Sequence, residues 1–215
     1  LIMEITQIDK VYIINLPNRT DRFIDCQNRI KTLSVLKNKT EIISAIDGKY
    51  IDNKTKLKNG ELGCSLSHIK IWNDAIAKDY KFILVLEDDV VFKEDFEENL
   101  NVYLNQVNTD FDWIYLFNTW DYRPVIEEND YFFKVIASLG TQAYIIKIKS
   151  LGRILPFVKE FEYPIDVVMG HMSFLSKVFR TKKIFVQHDE QSPSDIRSQN
   201  NKKSKLSLKN LLSRL

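Results

Sequence analysis

The sequence predicts an α/β fold: a mostly parallel central sheet flanked by helices, with a small antiparallel portion. Three observations carry this. Residues 82–86 (Phe82-Ile83-Leu84-Val85-Leu86) and 113–117 are apolar runs without polar alternation, as strands buried on both faces require. In the first half of the chain such runs alternate with amphipathic helical patterns, the order of a parallel sheet. After Asp121 two apolar segments, at 131–135 and 142–146, follow one another with no helix between them, which is where an antiparallel portion belongs.

Taken in order, Val11 to Leu16 forms a first buried strand that stops at Pro17. Thr20 or Asp21 caps the next helix, whose apolar positions Phe23, Cys26, Ile30 and Leu33 recur at helical spacing up to the Ser34 region. Residues 41–46 make a short second strand closed by Asp47-Gly48. A basic polar loop over 52–60 then opens a helix at Glu61 that carries Leu66, Ile69, Trp72, Ala75 and Ile76. The strand at 82–86 comes next, followed by a polar helix from 93 to 104 and the strand at 113–117. Ser150 caps a helix through Val158, Pro164-Ile165-Asp166 precedes a helix over 167–176, and 183–186 is the last strand.

The composition of 44% hydrophobic and 28% charged residues is that of a globular chain, and 6 glycines and 5 prolines in 215 residues argue against a loop-rich sandwich, a collagen-like segment or a disordered chain. Cys26 and Cys64 show no spacing of a zinc site and read as free thiols in a reducing compartment. No apolar run approaches the roughly 20 residues of a membrane span, and no basic-then-apolar leader opens the chain. A cytoplasmic location is therefore expected, and no nucleic-acid partner. The net charge of +2 conceals an asymmetry, because six basic residues from Arg197 to Arg214 face no acidic residue after Asp195. Leu208, Leu211, Leu212 and Leu215 share one helical stripe among these lysines, the pattern of a helix lying on an anionic membrane surface, or of a solvated or partner-docked terminal helix. The chain thus divides into a domain over 1–197 and a basic amphipathic tail over 198–215.

The strand at 82–86 ends in Glu87-Asp88-Asp89. Adjacent carboxylates raise one another's pKa, so a trio at a strand end suits a divalent cation with a preference for oxygen, Mg²⁺ or Mn²⁺; the alternative is a solvated acidic turn. Ligands of open α/β sheets bind at the carboxyl ends of the strands. Reading those ends gives Asn15 with Arg19 and Arg22, Asp47-Gly48, the acidic trio and Asn118, a set suited to a nucleoside diphosphate: guanidinium groups for phosphate or base, Gly48 for close approach to a ring, carboxylates for the metal. No glycine-rich phosphate loop is present. Asp89, as an exposed strand-end carboxylate, is expected to contribute little to stability. Trp72, Phe82 and Trp113 lie at core spacing, whereas Trp120 and Tyr122 sit in a loop from which aromatic rings can stack on a sugar or merely pack.

These segments, together with Gly60-Glu61-Leu62-Gly63-Cys64-Ser65-Leu66-Ser67-His68, Pro164-Ile165-Asp166 and Ser194-Asp195-Ile196, stand in the order found in glycosyltransferase family 25, which the chain resembles. That family comprises lipooligosaccharide galactosyl- and glucosyltransferases related to collagen galactosyltransferases. The resemblance implies a GT-A-like (Rossmann-like) nucleotide-sugar fold, a UDP-sugar donor, Mn²⁺ or Mg²⁺, a bacterial glycolipid or oligosaccharide acceptor and inversion at the anomeric carbon. On it, Asp89 and Glu87 serve the metal, Glu87 directly or through water, and Asp88 serves the donor ribose. Glu87 replaces the aspartate that usually opens the Asp-X-Asp motif of such folds. Asp166 is then the base that takes the acceptor proton, or a helix cap. Ser67 and His68, one turn into a helix, face the donor, or cap and pack; His188 is a third metal ligand or a surface residue. Two other readings use the same residues: a metal-dependent nucleotidyl or phosphoryl transferase, and an inactive membrane-associated glycan-binding module.

Overall fold

The computed structural model describes residues 1–188. The basic tail and the Ser194-Asp195-Ile196 segment lie outside the described residues. In chain order the elements are β1 (Lys10–Asn15), α1 (Thr20–Lys31), β2 (Thr40–Ser44), α2 (Asn59–Ala77), β3 (Phe82–Glu87), β4 (Val90–Phe92), α3 (Phe96–Leu104) and β5 (Trp113–Phe117). There follow β6 (Trp120–Asp121), β7 (Ile126–Glu127), β8 (Phe132–Lys134), β9 (Ser138–Leu139), β10 (Ala143–Lys147), α4 (Leu151–Val158), α5 (Ile165–Met172), β11 (Val178–Thr181) and β12 (Val186–His188).

Eight strands form the main sheet in the order β2-β1-β3-β10-β5-β11-β8-β7. β1 is parallel to β2 and to β3, and β5 is parallel to β11. Only β10 and β8 run against the rest, so the expected antiparallel portion is real, and half of it is driven into the middle of the sheet between β3 and β5. Strand pleating sends Val11, Ile13, Leu84 and Leu86 to one face, where Cys26 of α1 and Leu100 and Leu104 of α3 cover them. Tyr12, Ile14, Ile83 and Val85 go to the other, under Trp72 of α2, Ile154 of α4 and Val168 of α5. Both faces are buried, which is why these strands read as continuous apolar runs.

Some boundaries differ from the sequence expectation for identifiable reasons. α1 stops at Lys31 because the following amides of Ser34, Val35 and Leu36 are captured by the Glu97 carboxylate of α3. The helix expected from residue 93 begins at Phe96, after Val90–Phe92 has paired with β12 and Asp95 has taken a left-handed conformation. The last strand is two strands: Val178–Thr181 joins the main sheet beside β5, and Val186–His188 pairs with β4. Arg180 hid the first of these, yet it fits a strand because its guanidinium pairs with Asp121 at 3.2 Å and lies over the Phe133 ring. Ser150 precedes α4 but does not cap it, since its hydroxyl donates to Asp112 Oδ1 at 2.6 Å. α5 begins at Ile165, so Asp166 lies inside its first turn.

Candidate active site

The carboxyl ends of β1, β2 and β3 open on a cleft of about 210 Å³ whose wall includes Arg22, Asp47, Gly48, Ser67, His68 and the Glu87-Asp88-Asp89 trio. Residues that look equivalent in sequence are divided between the two faces of the sheet. Asp88 lies on the α1 side: Arg22 Nη1 donates to its Oδ1 at 2.5 Å and Asn15 Nδ2 to its Oδ2 at 2.8 Å. Arg29 Nη1 donates to the backbone oxygens of Asp88 and Val90, both at 2.8 Å, and so pins the turn that carries the acids. Burial pushes the Asp88 carboxyl up, and Arg22 and Asn15 pull it back. Asp89 keeps one oxygen 3.7 Å from the same guanidinium. At 5% and 6% exposure Asp88 and Asp89 are buried, which corrects the expectation of an exposed strand end.

Glu87 turns to the α2 side. Thr141 Oγ1 donates to its Oε1 at 3.1 Å, and burial, reinforced by Asp89, Asp88 and Asp166, pushes its pKa up to about 8. Beside it on α2, His68 is fully buried, with Nδ1 2.8 Å from the Tyr144 hydroxyl, which also accepts from Trp72 Nε1 at 3.1 Å. Burial pulls the imidazole pKa down to about 3, so His68 is neutral. Trp72 thus packs, as expected, and also fixes this hydroxyl.

The loop after β2 is wedged against the start of α2. A Cβ on Gly48 would come within 1.6 Å of the Asn59 carbonyl oxygen, so Gly48 is required by a backbone contact inside the protein. Ser67 Oγ spans Gly63 O and the Ile46 amide at 2.7 and 2.8 Å, stitching the same loop to α2. Asp47 accepts from the Lys49 amide and pairs with its ammonium. Arg19 is folded onto Asp21, at 3.0 and 2.8 Å. Asn118 donates to Asp121 and to Ser138, bracing the turn after β5.

A family model described as glycosyltransferase family 25 (LPS biosynthesis protein) matches residues 8–169. The chain belongs to glycosyltransferase family 25. It is 29% identical over 208 residues to procollagen galactosyltransferase 1 of Danio rerio, covering 76% of this chain and 33% of that one. Against procollagen galactosyltransferase 2 of Homo sapiens the identity is 26% over 214 residues, covering 84% and 33%. A probable inactive glycosyltransferase 25 family member 3 of Bos taurus is 24% identical over 172 residues, covering 68% and 28%. The chain therefore spans about a third of the length of these relatives. Among solved structures, a mannose-1-phosphate geranyltransferase from Thermus thermophilus superposes with a TM-score of 0.51 at 10% identity, over 81% of this chain and 73% of that one, a likeness of fold. The GT-A-like nucleotide-sugar fold is thus the fold of this family 25 chain.

In this family 25 domain Asp166 sits in the first turn of α5, one oxygen accepting from the Val167 amide at 2.8 Å. Burial, with Glu61 adding to it, raises its pKa, and its charge acts in turn on Glu87 and on Tyr122. Tyr122 packs against His171 of α5 with ring centroids 6.3 Å apart, and Trp120, 61% exposed, packs against Tyr122 at 5.1 Å. The His188 backbone lies opposite Val90, next to Asp89. No helix among the described residues is long and apolar enough to cross a membrane. Sequence reasoning missed Thr141 and Tyr144, which reach the site only because β10 is inserted beside β3. It also missed Cys64, although the Cys64–His68 spacing of one helical turn was a usable signal.

Proposed function

We propose that this family 25 glycosyltransferase transfers a hexose, galactose or glucose, from UDP to a hydroxyl of a lipooligosaccharide, lipopolysaccharide or related surface glycan, with inversion at the anomeric carbon. The observation that supports the reading is the convergence on one cleft of the buried Arg22 guanidinium and three successive carboxyl groups, with the Asp166 carboxyl near enough to act on Glu87. Burial first, and then this crowding, drives the Glu87 pKa upward, and a hard divalent cation, Mn²⁺ or Mg²⁺, would offset the repulsion among the carboxylates. The residues fit that ion in part. Asp89 and Glu87 would hold it, whereas both Asp88 oxygens are already engaged by Arg22 and Asn15. His188, whose strand runs beside Val90, is the proposed further ligand. When bound, the ion would supply countercharge for the departing diphosphate.

The chain's own groups supply the rest of the proposed chemistry. Asp166 takes the proton of the acceptor hydroxyl as that oxygen attacks the anomeric carbon. Its raised pKa makes it a stronger base than an ordinary carboxylate, and the Val167 amide fixes its orientation. Trp120 and Tyr122 offer ring faces to the acceptor sugar. Neutral His68 and the stitched loop at residues 46–48 keep the donor wall rigid.

The experiment is a screen of UDP-sugars with Mn²⁺, following UDP release with and without a lipooligosaccharide acceptor, for the wild type and Asp89→Asn. Acceptor-dependent UDP release by the wild type and loss of it in the variant are expected. Release of pyrophosphate in place of UDP would replace the reading by nucleotidyl transfer, and silence with every donor would remove transfer altogether.

A further inference from the structure

We propose that Cys64, His68 and Glu87 form a second cation site on the inner wall of the cleft, one built for a thiolate-seeking divalent ion of the zinc class. One ligand atom from each lies within 4.8 Å of the other two. Cys64 and His68 stand one turn apart on the same face of α2, and Glu87 meets them from the end of β3. The three come from two elements distant in sequence, so the spacing of cysteines alone could not reveal them.

His68 supplies an independent observation. Its ring is fully buried, Nδ1 is taken by Tyr144, and Nε2 has no hydrogen-bond partner among the described residues. A buried polar nitrogen without a partner is costly. The Tyr144 oxygen has two lone pairs and can accept from Trp72 and from Nδ1–H together, which leaves the Nε2 lone pair for a ligand. An imidazole whose second nitrogen is anchored in this way is the usual arrangement around a bound metal. Here the anchor is anchored in turn by the indole.

The donor set selects the ion. Sulfur, nitrogen and one carboxylate suit Zn²⁺ and its chemical relatives, whereas Mg²⁺ takes oxygen only. Three protein ligands leave a fourth tetrahedral position, and Cys64, His68 and Glu87 all line the cleft, which gives the ion a way in. Charge is balanced as well: a thiolate and a carboxylate neutralise a doubly positive ion, their two protons leave to solvent, and no net charge is added to a buried wall. Glu87 is shared with the Mn²⁺ or Mg²⁺ reading above, whereas Cys64 and His68 are not, so a thiolate signature reports this site and not that one.

The test uses Co²⁺ as a spectroscopic stand-in for Zn²⁺, titrated into the metal-free full chain. One equivalent is expected to produce thiolate-to-cobalt charge-transfer absorption that Zn²⁺ bleaches and a large excess of Mg²⁺ leaves unchanged. Cys64→Ser should abolish the band, and Cys26→Ser should retain it. A wild-type protein that shows no such band overturns the site, as does a band that survives Cys64→Ser or yields to Mg²⁺. Because the wild-type titration is decisive by itself, misfolding of a variant does not rescue the proposal.

Discussion

Arg22 and Asp88 meet inside the cleft wall, Nη1 to Oδ1 at 2.5 Å, with each side chain only 8% exposed. Removing one partner strands the other's charge in a dry site, a loss of about 3–5 kcal/mol. Arg22→Met should therefore lower unfolding stability in urea by about that amount. Adding Asp88→Leu to it should recover part of the loss, because the double change leaves no orphan charge. A single variant within about 1 kcal/mol of wild type would show that the pair does not hold α1 to the end of β3.

Gly48 and Gly152 are expected to respond in opposite directions to alanine. At Gly48 the new Cβ meets the Asn59 carbonyl oxygen at 1.6 Å, and neither backbone can yield without moving α2. Gly48→Ala should cost about 1–3 kcal/mol, as overpacking does. The loop it displaces lines the cleft, so nucleotide binding should weaken with it. At Gly152, inside α4, a Cβ meets nothing within 4 Å. Gly152→Ala should stabilise by about 0.5–1 kcal/mol through helix propensity and a less flexible unfolded chain. Paired thermal melts check both signs.

β1, β3 and β5 were legible in the sequence because they are buried on both faces, and burial leaves an uninterrupted apolar run. β11 was not, because Arg180 sits in it and is tolerated only through Asp121 and Phe133, partners the local sequence does not reveal. The acidic trio was equally visible as a strand end. Its division of labour was hidden, since sending Asp88 to Arg22 and Glu87 to Thr141 depends on which helix covers which face. Burial of Asp89 had no local signal either, because the turn that encloses it is pinned by Arg29 from another element.

Glu97 predicts a specific acid sensitivity away from the cleft. Its carboxylate accepts from the Ser34 amide and hydroxyl, both at 2.6 Å, and from the Leu36 amide at 2.7 Å. Burial alone would raise its pKa, but the Ser34 hydroxyl and the amides of Ser34, Leu36 and Val35 prevail and lower it. A depressed carboxylate pKa stabilises the fold above the unfolded value of 4.5, and that stability is lost as pH falls through the folded value. Glu97→Gln should be less stable than wild type at neutral pH by about 2 kcal/mol, the scale of hydrogen bonds to a charged group. The gap between the two proteins should close on acidification below pH 4.5. A constant gap at every pH would assign the effect to packing.

Asp166 is where the proposed chemistry is most exposed to test. If its carboxylate takes the acceptor proton, Asp166→Asn removes the proton sink and leaves the shape of the first turn of α5 almost unchanged. Turnover should then fall by about 10²–10⁴-fold, the range for loss of a general base, while UDP-sugar affinity stays within a few fold. The wild-type pH profile should carry a matching limb. A base must be deprotonated, so kcat/KM declines as pH falls through the Asp166 pKa, and burial places that limb above the ordinary carboxylate value of 3.8. In Asp166→Asn the limb should vanish. A variant that keeps activity within a few fold, or keeps the limb, would return Asp166 to the lesser role of accepting the Val167 amide at the helix start.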